Sequence, residues 1–154
     1  DRRAWLEGAF ATGLMAAVYA VVGFSTGLIH FAPRSLAEIP PIALSAFLAP
    51  AIGEELVFRA ALIPSMQEAP RAFVSIAIAT ILFTAWHLVE SVFLPGAATL
   101  FRRFDFLALA ATLGLICAVL RRRSGSVWTA VALHWAVVVA WLGFFGGPSL
   151  SELK

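Results

Sequence analysis

The chain has 154 residues, of which 61% are hydrophobic and only 13% charged, with a net charge of +2. Soluble domains run about 45–50% apolar and about 25% charged, so there are too few charges to clothe a water-soluble core. The basic residues cluster at the ends of apolar runs, which is a membrane-topology pattern and not a nucleic-acid footprint, and the one cysteine, Cys117, allows neither an internal disulfide nor a cysteine zinc cluster.

The first apolar run covers about Trp5–Ile29, and Gly8–Pro33 carries no Asp, Glu, Lys or Arg. The chain begins at Asp1 and not at Met, which leaves room for an upstream segment. The run is too long for a signal peptide and lacks a clear cleavage site, so it is expected to span the bilayer. Arg2, Arg3 and Trp5 form an expected interfacial anchor, Glu7 is expected to reach the headgroups, and His30 ends the run at the interface. Gly23-xxx-Gly27 is a close-packing signal between membrane helices.

Three prolines mark the loop Ala32–Pro41. The second run, about Ile42–Pro64, carries Gly53-Glu54-Glu55-Leu56-Val57-Phe58-Arg59 in its inner half. One ionised side chain near a bilayer centre costs roughly 2.5–3.5 kcal/mol on insertion scales, so three in six residues call for a functional reason. Pro50 removes a backbone donor and is expected to free the carbonyl near Ala46, kinking the helix into a wet pocket. Gly53 is expected to admit a neighbouring helix. At about 100° per residue, Glu55 and Arg59 lie about 40° apart and are expected to form a structural ion pair. Glu54 lies about 140° from Arg59 and is left free for chemistry, with Phe58 covering its face.

A polar turn, Ser65–Arg71, leads to the third run, about Ala72–Leu94. There Phe83 and His87 are spaced i, i+4, and Glu90 follows His87 by about 60° of helix, where it could orient the imidazole. After Pro95-Gly96, residues 97–103 form an interfacial connector. The fourth run, about Phe104–Leu120, has only a 15-residue uncharged stretch and is closed by Arg121-Arg122-Arg123. The fifth, about Val127–Phe145, holds His134 among Val, Ala and Trp, and Gly143-xxx-Gly147 repeats the packing signal. Trp86, Trp128, Trp135 and Trp141 fit interfacial belts and packing. Arg2, Arg3, Arg71 and Arg121–Arg123 on one side, against Arg34, Arg102, Arg103 and Lys154 on the other, favour a cytoplasmic N-terminus.

The expected fold is therefore all-α: one membrane domain over 1–154, a polytopic bundle of about five helices around a polar intramembrane cavity. If the second, third and fifth helices are neighbours, a carboxylate and two imidazoles share that cavity. A carboxylate in a dry site can take a proton from water, one histidine can position the water, and the other can stabilise the oxyanion. The same His₂Glu set could instead hold zinc. The motifs of zinc and aspartyl membrane proteases are absent: there is no His-Glu-x-x-His, His87-Leu-Val-Glu90 lacks the histidine of the inverted zinc motif, and Gly-x-Gly-Asp does not occur.

Glu54-Glu55-Leu56-Val57-Phe58-Arg59, Phe83-Thr84-Ala85-Trp86-His87 and His134 in this order resemble the three motifs of the CPBP family of intramembrane proteases (CAAX protease, bacteriocin-processing, Abi). The likeness covers about 42–147. It implies a glutamate-dependent, metal-independent peptidase without cofactor. Glu54 and His87 would activate water, His134 would polarise the scissile carbonyl, and Glu55, Arg59, Phe58, Phe83 and Glu90 would support the site. One departure stands out: Val138 replaces the family's Asn or Asp four residues after the last histidine, and it cannot donate a hydrogen bond. The resemblance implies a membrane-anchored peptide substrate, the lipid bilayer as surroundings, no nucleic acid, and the bacterial inner membrane as location. A non-catalytic immunity or scaffold protein of the same fold is the alternative, and a small proton-relay transporter a third.

Overall fold

Lipid offers no partner to a backbone N–H or C=O, so long apolar runs must close their hydrogen bonds internally, as helices. The computed structural model describes residues 2–66, 68–69 and 72–152, without the side chains of residues 2–5 and 7. The side chains of the expected anchor residues Arg2, Arg3 and Trp5 and of Glu7, and the whole of Arg71 and Lys154, therefore lie outside what is described. The helices are α1 (Arg2–Thr26), α2 (Ile39–Ala46), α3 (Phe73–Phe93), a short α4 (Ala98–Phe101), α5 (Phe104–Ser124) and α6 (Val127–Phe144). α2 runs on into π-helical turns over Phe47–Glu54 and Leu56–Ala60, so the second span is Ile39–Ala60. Among the described residues, five helices are long and apolar enough to cross a membrane. Among the described residues the only extended pairing is an isolated bridge between Ala32 and Phe145.

The outward faces are apolar. Phe10, Val21, Phe73, Ile81 and Phe93 are all more than half exposed, on a scale that water-soluble monomers avoid. This is an integral membrane protein, with an all-α polytopic fold.

The fourth run, with an uncharged stretch of only 15 residues, is the most buried of the five spans. α5 packs against α1, α3 and α6 through Leu109, Ala110, Leu113, Gly114, Ile116, Cys117 and Ala118. Its helix continues through Arg121–Arg123 to Ser124, beyond the expected end at Leu120, and Gly125 closes it in the left-handed conformation at φ 71°. Across the bundle Tyr19 donates to the Leu109 carbonyl at 2.9 Å. The two groups of chain ends assemble as the charge pattern separates them. Arg122 donates to Ala69 O at 2.8 Å at one end, while Arg34 donates to Leu142 O and Gly147 O at the other.

The glycine pairs act differently from expectation. A methyl group at Gly23 would meet Ile29 of its own following loop, and Gly27 faces open space at φ +72°. The pair terminates α1 and does not seat a partner helix. Gly143 does face another helix, at Ile39, whereas Gly147 meets Trp141 and Leu142 at the end of its own helix. Gly53 admits no helix either; nothing lies within 4 Å of the position its Cβ would take, and it lines a cavity.

Candidate active site

The acidic stretch sits where the second span abandons α-helical geometry. Pro50 lies inside the π-helical turns over Phe47–Glu54, and its missing N–H rules out a regular ladder there. Such widened turns occur often at functional sites. Pro50 and Gly53 line a cavity of about 650 Å³ enclosed by α1, the second span, α3, α5 and α6. The polar groups at its wall are few: Tyr19, Ser45, Glu54, Trp86, His87, Glu90, His134 and Trp141, among residues that are otherwise apolar. Leu150 of the C-terminal tail reaches the same cavity.

Glu55 and Arg59 are 0% exposed and lie behind that wall. Arg59 Nε stands 3.1 Å from Glu55 Oε2, off the axis of a regular hydrogen bond, and its guanidinium carbon lies 4.1 Å from the centre of the Phe83 ring. The charge is thus held by a carboxylate and an aromatic face. Gly114 leaves the room this requires: a Cβ there would come within 2.9 Å of Phe83 and 3.2 Å of Arg59 Nη2. Phe58 packs edge-on against Phe83 at 5.5 Å between ring centres, and both line the cavity.

His134 is not alone on its helix face. Its Nδ1 meets Glu55 Oε1 at 2.8 Å, so Glu55 links Arg59 on one side to His134 on the other. An ionised carboxylate only accepts, so Nδ1 carries the proton. The other nitrogen, Nε2, is aimed toward Glu54 Oε2 at 3.9 Å. Glu54 is 9% exposed, and its Oε2 has no hydrogen-bond partner among the described residues.

His87 is oriented by its own helix, and not by Glu90. Nδ1 lies 3.0 Å from the Phe83 carbonyl one turn earlier. A carbonyl only accepts, so Nδ1 donates, and the neutral ring presents an unprotonated Nε2. Glu90 instead shares the cavity: one ligand atom each from Glu54, His87 and Glu90 lie within 4.8 Å of one another. The Trp86 side chain lines the same cavity wall as Glu54 and Glu90. Trp86 is the site residue that spacing missed, because a tryptophan in a membrane span ordinarily reads as an interfacial anchor. Val138 lines the cavity and offers no donor.

The three sequence motifs therefore converge on one cavity, and their order along the chain has a counterpart among known proteins. A family model described as type II CAAX prenyl endopeptidase Rce1-like matches residues 35–140. The chain belongs to the Rce1-like family. The match contains Glu54, Glu55, Arg59, Phe83, His87 and His134, and it agrees with the CAAX-protease resemblance of the motifs. As a member of the Rce1-like family, the chain is a protease of the CAAX endopeptidase type. No curated protein and no solved structure matches it significantly.

Proposed function

We propose that this protein is a glutamate-dependent endopeptidase that hydrolyses a peptide bond of a membrane-anchored substrate inside the bilayer. Glu54 takes a proton from a water whose oxygen adds to the scissile carbonyl carbon. His87 Nε2, fixed by the Phe83 carbonyl, accepts a hydrogen bond from the same water and aims it. The tetrahedral intermediate then collapses: the C–N bond breaks, and Glu54 returns its proton to the leaving amine.

His134 stabilises the oxyanion. With Nδ1 engaged by Glu55, Nε2 can donate only as part of an imidazolium, so the oxyanion donor in this chain is cationic. Glu55 balances that charge, and Arg59 balances Glu55. A charged donor in a low-dielectric site is stronger than a neutral one, which compensates for the missing donor at Val138. The observation that carries the reading is the gathering of Glu54, His87 and His134, from three separate helices, on one cavity wall.

The apolar lining suits a substrate segment bearing a lipid or apolar side chains. We place the substrate among C-terminal tails, prenylated or carrying a sorting signal, and the protein in the bacterial inner membrane. The catalytic core is the segment 42–147 of a single domain.

Purified protein assayed on a membrane-anchored reporter peptide tests the two imidazoles. His134→Ala should lower kcat by about 10²–10³-fold, the usual loss of one oxyanion donor, and His87→Ala by a comparable factor. Full turnover in either variant would remove that histidine from the mechanism.

A further inference from the structure

The active-site cavity occupies one half of the bundle. Among the described residues, nothing before Tyr19 lines it on α1, nothing after Phe58 on the second span, nothing before Phe83 on α3, nothing after Leu113 on α5 and nothing before His134 on α6. Successive spans run in opposite directions. Gly8 near the start of α1 lies beside Leu120 near the end of α5, while Arg103 at the start of α5 donates to Thr26 O at the end of α1. The five limits therefore fall on the same side. On the open side the cavity reaches Ile29, Leu94 and Leu150, where α1, α3 and α6 finish. On the other side the helices pack dry. Ile63, Ala79 and Ala118 form one cluster, and Cys117, Ala118 and Ala130 are 0% exposed. Glu55 and Arg59, equally buried, lie between this packing and the cavity. Water therefore reaches Glu54 from one end of the bundle, and that end has a sidedness.

By position in the sequence, the basic residues at the sealed end are Arg2, Arg3, Arg71 and Arg121–Arg123, and those at the open end are Arg34, Arg102, Arg103 and Lys154. The connections between spans are short, the condition under which the excess of Lys and Arg marks the cytoplasmic side. Six basic residues against four place the sealed end in the cytoplasm. We propose that the active site opens on the extracytoplasmic face of the membrane, and that its substrates are exported polypeptides held in that leaflet by an apolar tail.

The depth of the catalytic groups fits such a tail. His87 stands six residues before the end of α3, about 9 Å below it at about 1.5 Å per residue, and His134 ten residues before the end of α6, about 15 Å below it. The hydrocarbon core is about 30 Å thick, so the scissile bond lies between the extracytoplasmic interface and the midplane. A tail prenylated in the cytoplasm stays in the opposite leaflet, whereas a sorting signal crosses the membrane with its protein. Of the two kinds of tail named above, the geometry selects the second. In naming the substrate the inference rests on the peptidase reading; the orientation does not.

The test uses the whole chain expressed in bacterial spheroplasts. In a Cys117→Ser background, Leu36→Cys places a thiol in the exposed loop at the open end, and Ser124→Cys places one at the exposed end of α5 on the sealed side. A membrane-impermeant maleimide should label Leu36→Cys in intact spheroplasts and Ser124→Cys only after permeabilisation. The reverse pattern, or labelling of both in intact spheroplasts, overturns the orientation. The wild type is tested beside them on two reporters with the same membrane anchor, one with its cleavable stretch at the extracytoplasmic end and one inverted. Only the first should be cut. Cleavage of the inverted reporter alone overturns the inference and leaves the peptidase standing. Cleavage of neither, with the expected labelling, overturns the substrate and the peptidase reading together and leaves the orientation standing.

Discussion

Glu54→Gln is expected to lower kcat on a membrane-anchored peptide by about 10²–10⁴-fold, the contribution of a positioned general base, and to leave the fold intact. The amide keeps the volume of the carboxylate, so the cavity wall stays filled. Among the described residues Glu54 also has no ion-pair partner closer than His134 Nε2, at 3.9 Å, so little of the packing depends on its charge. KM should change less than kcat, because the lost interaction acts on the water and not on the substrate. The check is steady-state kinetics beside thermal unfolding in the same detergent. A variant with wild-type turnover would remove Glu54 as the base. A variant that unfolds would show that its charge is structural.

The second large effect concerns stability. Arg59→Met should destabilise the protein by about 3–5 kcal/mol, the typical consequence of removing one partner of a buried ion pair. Glu55 and Arg59 are both fully buried, and the loss would leave the Glu55 carboxylate with His134 alone. The Phe83 ring would also lose the guanidinium that sits 4.1 Å from its centre. Adding Glu55→Gln to Arg59→Met should recover part of the loss, because the uncompensated charge disappears. Turnover should not recover with it, since His134 would have no anion to hold its proton. Thermal unfolding of the single and double variants measures the first effect, and cleavage by the refolded double variant measures the second. Equal stability of Arg59→Met and wild type would mean that the pair holds nothing.

Much of this arrangement is legible in the sequence, for identifiable reasons. Length and composition are enough for five apolar helices, because lipid leaves the backbone no alternative. The Glu55–Arg59 contact follows from i, i+4 spacing, and it appears at 3.1 Å although the turns around it are π-helical. The π geometry itself is not legible: Pro50 announces a disturbed ladder, but not whether the helix kinks or widens. The bond from Glu55 to His134 joins residues 79 apart in the chain, and no periodicity reports a contact between helices. Glu90 illustrates a further limit. Its spacing from His87 suits an orienting acid, yet the Phe83 carbonyl one turn earlier already occupies Nδ1. A backbone acceptor is present at every position and so leaves no mark in a sequence. Trp86 was hidden by its chemistry, since the same residue type serves at the bilayer interface.

The central claim is that water, activated by Glu54, attacks the peptide carbonyl directly. A single turnover with enzyme in excess, run in H₂¹⁸O, acid-quenched at intervals and read by intact-mass spectrometry of both product and protein, tests it most directly. The account predicts one ¹⁸O in the new carboxyl terminus and a protein of unchanged mass at every time point. A protein that transiently gains the mass of the acyl fragment would contradict it, because the attacking atom would then belong to a side chain.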